Sequence, residues 1–72
     1  MTELSHSAVE RILKKAGAGR VSADATDSLA ELLEEHGLFL AKEAKKMSDH
    51  AGRKTVRGSD VRTPHRFSAR MI

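Results

Sequence analysis

The chain has 72 residues and no cysteine, with 13 Lys and Arg against 10 Asp and Glu, a formal net charge of +3. A chain of this length forms one domain that buries only about 60% of its unfolded surface, so it needs covalent staples or an oligomer to be stable. Without cysteine, disulfides and thiolate metal sites are excluded. Two phenylalanines are the only aromatic residues, which excludes base stacking on exposed rings as the main mode of any nucleic-acid contact.

The positive charge gathers at the ends of the chain and in its connections. The acidic residues crowd into 24–35, whereas the first helix, the segment around Arg20 and everything after Gly52 are basic. A small protein with a pI near 9.7 typically meets polyanions. No run is apolar enough to span a bilayer, and the N-terminus lacks the pattern of a signal peptide. We therefore expect a cytoplasmic protein without a membrane partner.

The first predicted helix has two possible starts. Ser7 with Glu10 fits a capping box, while Ser5 as the N-cap would allow a hydrophobic staple. In either case the spacing of the apolar residues predicts a helix to about Ala16, and Gly17 ends it.

The longest predicted element is a helix from Ser22 to Ala51, with Ser22 as its N-cap and Gly52 just beyond its end. About 28 residues at 1.5 Å each give roughly 42 Å, whereas a compact monomer of this length is roughly 30 Å across. The helix must therefore extend beyond its own domain and needs a partner. Its apolar stripe predicts where that partner packs. The large residues of the stripe include Leu29, Leu32, Leu33, Leu40 and Met47.

After the long helix the order of elements repeats. Residues 53–57 are short, β-prone and basic, like the possible extended piece at 20–21 before the long helix. A third helix follows, with Ser59 or Gly58 as its cap. A strand of two or three residues is too short to stand alone, so each piece is expected to pair with a strand from elsewhere.

Three segments resemble the archaeal histones of the small, DNA-wrapping type. They are Ala16-Gly-Ala-Gly-Arg-Val-Ser-Ala-Asp-Ala25, Leu32-Leu-Glu-Glu35, and His50-Ala-Gly-Arg-Lys-Thr-Val56 followed by Ser59-Asp60-Val61. The resemblance covers about residues 3–62. It implies an all-α histone fold, with a helix, a short strand loop, a long central helix, a second short strand loop and a short third helix, as an intertwined dimer.

The resemblance also implies roles for single residues. Two long helices cross antiparallel in the family, and the first loop of one subunit pairs with the second loop of the other. Arg20 is then the arginine that enters the minor groove of DNA, and Arg53 with Asp60 resembles an internal ion pair between the second loop and the third helix. The residues implied to meet phosphates are Arg11, Lys14, Ser22, Lys54 and Thr55.

The apolar stripe of the long helix also contains His36, near its middle, where we expect a hydrogen-bonded histidine at the crossing of two helices. The predicted dimer core is therefore Leu29, Leu32, Leu33, His36, Leu40 and Met47. The family builds tetramers and longer arrays through a contact between dimers, and the matching positions are Met47, His50 and Asp60.

The C-terminal segment departs from the family. Pro64 would stand about six residues into the third helix, where a proline removes a hydrogen bond and clashes with the preceding turn, at a cost of roughly 3 kcal/mol. We expect the helix to end near Arg62 or to restart with Thr63 as N-cap. The predicted domains are a histone fold over residues 1–62 and a basic tail over 63–72, either disordered or a short helix. This departure leaves the formation of tetramers or arrays open.

The sequence predicts a protein that binds rather than catalyses. It has no Gly-rich phosphate loop and no nucleophile motif, and its four histidines lack the spacing of metal ligands, so we expect no enzyme activity, cofactor or metal. The leading hypothesis is a chromosome-associated homodimer that binds double-stranded DNA with little sequence preference and bends, wraps and compacts it. The alternative is a histone-fold interaction protein, in a homodimer or heterodimer, that does not wrap DNA and pairs with another protein through Leu38, Phe39 and the altered C-terminal tail.

Overall fold

The structure, a computed structural model, describes the backbone of residues 2–71 and the side chains of residues 2–67, so Ile72 of the predicted tail lies outside it. It has three helices, which are α1 (His6–Lys15), α2 (Ala23–His50) and α3 (Gly58–Met71). No strand occurs within the described backbone. The all-α class is confirmed, and the pairing of the two loops with a second chain stays a prediction. The chain forms two compact units, 1–36 and 37–72, whose boundary lies inside α2.

A serine cap begins α1. Ser5 has extended backbone dihedrals, and its Oγ accepts a hydrogen bond from the backbone N–H of Ala8 at 3.4 Å. Of the two possible starts the structure therefore has Ser5, and Ser7 lies inside the helix. Lys14 and Lys15 stand in the last turn, where the carbonyl end of the helix dipole favours positive charge.

The long helix α2 begins at the N-cap that the sequence predicts. Ser22 Oγ accepts from the N–H of Ala25 at 3.0 Å, and the Thr26 hydroxyl donates to the Ser22 carbonyl at 3.3 Å. The first of these bonds satisfies a backbone N–H that a helix N-terminus leaves without an intrahelical partner. Although α2 has 28 residues, neither it nor any other helix within residues 2–71 is apolar enough over a sufficient length to cross a bilayer.

A glycine with positive φ stands two residues after the end of both α1 and α2, Gly17 at 105° and Gly52 at 68°. In each case the glycine N–H donates to the carbonyl three residues earlier, and the next N–H donates to the carbonyl five residues before it. The two distances are 3.0 and 3.3 Å after α1, and 3.0 and 2.9 Å after α2. This is the Schellman motif, and a basic loop follows it at both places.

Few apolar side chains are buried within a single chain. Among the described residues, the buried hydrophobic ones are Val9, Ala30 and Ala44. Thr26 and Ser48 of α2 are buried as well, at 5% and 2% exposure. At 100° per residue, the four buried positions of α2 fall within an arc of about 40°, so they form one face of small side chains.

The large apolar face of α2 stays largely in solvent. Leu32 is 62% exposed, Leu33 37% and Met47 36%. Leu29 and Leu40 of the same face are half-buried. This face is turned by roughly 80° from the small-residue face. One chain therefore covers the small face of α2 and leaves the large face for a partner.

The third helix passes through Pro64 without a break, because α3 runs from Gly58 to Met71. The expected end near Arg62, or restart at Thr63, is therefore wrong, while the predicted domain boundary at 62/63 stays a prediction. The proline removes one backbone donor, and the Thr63 hydroxyl adds a hydrogen bond of 3.0 Å to the Ser59 carbonyl in the same turn. Such side-chain bonds to the preceding turn are tolerated in helices that bend.

Replacing Gly52 by alanine should lower the free energy of unfolding by about 1–2 kcal/mol, because an L residue in the left-handed region carries that cost. The space around a Cβ at this position is open, so the loss would come from the backbone alone. Urea unfolding followed by circular dichroism measures the change.

Gly19→Ala is the matched control for this prediction. Its surroundings are equally open, but its φ is not positive. The substitution should leave stability unchanged or raise it by about 0.4–1 kcal/mol. An equal loss in both variants would contradict the assignment of the Gly52 effect to its backbone conformation.

Candidate nucleic-acid interface

The first basic loop, residues 16–22, presents its arginine to solvent. Arg20 is exposed, and no carboxylate among residues 2–67 pairs with it. Ser22 is exposed too, but its Oγ already accepts the capping bond from α2, so it has its O–H left to donate. A hydroxyl and a guanidinium are both donors suited to phosphate oxygens.

Two of the predicted phosphate contacts lie on α1. Arg11 is exposed and has no carboxylate partner in the described part of the chain. Lys14 lies 3.5 Å from Glu10 in an exposed pair one turn apart. Such a surface pair contributes little, so Lys14 stays available to an external anion.

The second basic loop is held by one arginine side chain. Arg53 Nη1 donates to Asp60 Oδ2 at 3.0 Å, and Nη2 donates to Oδ1 at 2.9 Å. Nη1 also donates to the backbone carbonyl of Thr55 at 2.9 Å. The guanidinium thus joins the loop to α3 through a bidentate bond, the strong geometry for an arginine and a carboxylate.

Asp60 also caps the N-terminus of α3, where the second basic loop ends. Its Oδ2 accepts from the backbone N–H of Arg57 at 2.8 Å. Arg57 is the residue before the helix and Asp60 the third residue in it, so this is the backward half of a capping box. The expected cap at Ser59 or Gly58 is wrong, because both already lie inside α3 and the carboxylate supplies the cap.

The Arg53 guanidinium, followed by the Arg57 N–H, lowers the pKa of Asp60 from 3.8 to about 2. Asp60 is 3% exposed, and both of its oxygen atoms accept hydrogen bonds within the chain. Its charge is therefore used internally. Of the three residues implied at a contact between dimers, Met47 and His50 are the exposed ones.

With the loop closed in this way, Lys54 and Thr55 lie at its surface. Both are exposed, and neither side chain has a hydrogen bond or ion pair within residues 2–67. Each compact unit thus carries one basic loop, and the structure brings Arg53, Asp60, Lys54 and Thr55 together in the second. The pairing of Arg20 with Lys54 requires a second chain and stays a prediction.

Sequence reasoning missed the buried polar residues of α2. Thr26 and Ser48 lie on the small-residue face, where their hydroxyls donate to backbone carbonyls at 3.3 and 3.0 Å. The signal that could have found them is the spacing of small residues, since each hydroxyl residue stands four positions from a buried alanine. That pattern is weaker than the leucine stripe beside it.

The sequence matches a known protein family over residues 2–63, described as histone-like transcription factor (CBF/NF-Y) and archaeal histone. The chain belongs to this family. It is 50% identical over 62 residues to one of the subunits of archaeal histone HAN1 from Thermococcus zilligii, a match that covers 86% of this chain and 92% of the relative. It is 48% identical, with the same coverage, to probable archaeal histone 3 of Methanocaldococcus jannaschii. The histone fold is confirmed, and the chain is a DNA-binding histone.

Asp60→Asn should destabilise the histone at pH 7, because it removes the charge that faces Arg53. The pKa of Asp60 is lowered by folding, so its contribution is fully present above the unfolded value of 3.8 and is lost as pH falls through about 2. The difference in thermal midpoint between wild type and variant should stay constant from pH 7 to about pH 5 and then shrink toward pH 2.

Asp49→Asn serves as the control, since Asp49 forms an exposed pair with Lys45 at 2.8 Å. This substitution should change the midpoint little at any pH. A difference between wild type and Asp60→Asn that stays constant down to pH 2 would rule out the charge as its source.

Proposed function

We propose that this histone is a homodimer that binds double-stranded DNA with little sequence preference and bends, wraps and compacts it on the chromosome. The observation that carries the proposal is the exposure of a basic residue in each loop, Arg20 and Lys54, with no acidic partner among residues 2–67. Phosphate contacts and arginines in the minor groove suffice for wrapping without a base code. The role is binding, without catalysis or a cofactor.

The exposed apolar face of α2 supports the dimer. The proposed core consists of Leu29, Leu32, Leu33, His36, Leu40 and Met47. Fully burying a leucine contributes about 1.5–3 kcal/mol, and one chain leaves most of that contribution unused. Two antiparallel copies of α2 would cover this face in both chains at once, because a twofold interface uses the same surface twice.

In this dimer the first loop of one subunit lies beside the second loop of the other. Arg20 enters the minor groove, where a narrow groove concentrates negative potential. The hydroxyls and cations proposed to bind phosphates are those of Arg11, Lys14, Ser22, Lys54 and Thr55. The Arg53–Asp60 pair positions the second loop and does not contact DNA. Met47 and His50 are proposed to lie at a contact between dimers.

One observation favours a second candidate function, that of an interaction protein. Leu38 and Phe39 are 54% and 49% exposed, and Leu38 lies on the charged side of α2. A neighbouring pair of large apolar residues is a contact surface of the kind that a protein partner covers. A dimer that does not bind DNA at physiological salt would favour this role.

The purified chain should sediment as a dimer, and its thermal midpoint should rise with protein concentration, because unfolding and dissociation are coupled. Leu32→Ala should lower the free energy of unfolding by about 2–5 kcal/mol for each chain of the dimer, as expected for a leucine buried in a core.

Leu38→Ala is the matched control for the dimer. Leu32 and Leu38 are similarly exposed in a single chain, at 62% and 54%, but only Leu32 lies on the proposed interface. The loss caused by Leu38→Ala should stay within about 0.5 kcal/mol, as for a surface substitution. Equal effects of the two substitutions, or a midpoint independent of concentration, would be incompatible with this interface.

DNA binding should be strongly salt-dependent. With four basic contacts from each chain, those of Arg11, Lys14, Arg20 and Lys54, the dimer makes about eight, and the logarithm of the binding constant should fall with the logarithm of salt concentration at a slope near −7. Arg20→Ala with Lys54→Ala should weaken binding to all sequences alike while the dimer persists. Fluorescence anisotropy over a salt series measures both effects.

The control is the double variant Lys42→Ala with Lys45→Ala. It removes two positive charges per chain, as the Arg20 and Lys54 double variant does, but from α2, and should leave the salt slope nearly unchanged. A wild-type slope close to zero would refute DNA binding by the loops. Loss of the dimer in the Arg20 and Lys54 double variant would mean that these residues are structural.

A further inference from the structure

The arginines of α3 form a basic row that the proposed function does not use. Arg62 and Arg66 stand four residues apart, so their side chains share one face of the helix. At 100° per residue, Asp60 and Pro64 fall on the opposite face, where Asp60 is buried and Pro64 half-buried. The helix therefore turns one face toward its own chain and the row of Arg62 and Arg66, which we call the α3 row, toward solvent.

No negative charge within the described side chains balances this row. Asp60 is the acidic residue of α3, and its carboxylate is bonded to Arg53 and to the Arg57 backbone. Both arginines of the row are exposed, and neither pairs with a carboxylate among residues 2–67. Like charges four residues apart destabilise a helix, so the row costs stability unless an anion from outside the chain offsets it.

The α3 row is continuous with the second loop. A Cβ built on Gly58 would lie 2.9 Å from Nη1 of Arg62, so the guanidinium of Arg62 lies beside the first residue of α3. Arg57, just before the helix, is also exposed and without a carboxylate partner in the described part. Exposed basic residues thus follow one another along the second loop and α3, at Lys54, Arg57, Arg62 and Arg66.

We propose that the α3 row binds the phosphodiester backbone of duplex DNA as an additional contact beyond the two loops, an inference that rests on the proposed function. The planar guanidinium groups can each bind a phosphate through two hydrogen bonds. The two arginines are about 6 Å apart along the helix axis, close enough to contact neighbouring phosphates of one strand. The backbone belongs either to the flank of the DNA held by the loops or to a second duplex.

The test compares two double variants. The α3 variant combines Arg62→Gln and Arg66→Gln, and the control combines Lys42→Gln and Lys45→Gln. Both remove two positive charges per chain. Each phosphate contact steepens the salt slope by about 1, so four α3 contacts per dimer should take the wild-type slope from the value near −7 given by the other contacts to about −11. The α3 variant should return the slope to about −7, while the control should match wild type. Arg62→Lys with Arg66→Lys should retain most of the slope, because it retains the charge.

Circular dichroism and sedimentation of each variant check that the histone still folds and dimerises. If the glutamine double variant does not fold, Arg66→Gln alone provides the measurement, since the side chain that lies beside Gly58 is that of Arg62. Its slope should then be less steep by about 2. An α3 variant with the slope of the control would overturn the proposal.

The outcomes separate this inference from the proposed function. A wild-type slope near zero refutes the proposed function itself, whereas a steep wild-type slope that the α3 variant retains refutes only the α3 row. Two further measurements identify the source of the backbone. Capture of a labelled duplex by a bead-bound duplex, lost in the α3 variant, supports a second duplex. A nuclease footprint that shortens in the α3 variant, without capture, supports the flank of the same duplex.

Discussion

The division of α2 into a face of small side chains and a face of large apolar ones is the constraint on which the rest of the structure depends. Its small face, with Thr26, Ala30, Ala44 and Ser48, is buried within the chain, and alanine side chains contribute little transfer free energy when buried. The large side chains, which would contribute most, remain on the exposed face. A single chain can therefore position its helices but cannot supply much free energy for holding them. In the proposed dimer, stability and association with a partner are therefore one quantity, as they are in obligate oligomers.

Each of the two basic loops follows a Schellman motif at the end of a helix, but different hydrogen bonds hold the two loops in place. After Gly17 the chain reaches Ser22, whose hydroxyl caps α2, and Arg20 between them has no internal carboxylate partner in the described part. After Gly52 the Arg53–Asp60 pair closes the loop, so one arginine is structural while its neighbour Lys54 stays exposed. Of these two adjacent cations, Arg53 is bonded to the buried carboxylate of Asp60, while Lys54 remains exposed and available to an external anion.

Local rules predict the parts of the fold that local bonds determine. The cap at Ser22 and the helix ends before Gly17 and Gly52 each depend on one side chain or one backbone angle, and the structure has all three. The same capping rule cannot choose between Ser5 and Ser7, because both satisfy it. Hydrophobic periodicity does not predict the buried face of α2 either. It assigns burial to the most apolar side chains, the leucines, whereas the face that the chain itself covers consists of small side chains. The histone fold follows from the resemblance of whole segments, and the DNA contacts predicted from it rest on the same resemblance.

Pro64 shows where a local rule is insufficient. A proline inside a helix removes the bond from its own nitrogen to the carbonyl of Asp60, four residues earlier, and leaves the remaining bonds possible. The N-terminus of α3 does not depend on that bond, because the side chain of Asp60 already bonds Arg53 and the Arg57 N–H. The cost is confined to one turn, and the helix continues. Its continuation has a consequence for charge, since only an unbroken helix holds Arg62 and Arg66 on one face. A break at the proline would have separated the two arginines, so the helical register through Pro64 is what makes a basic surface of them.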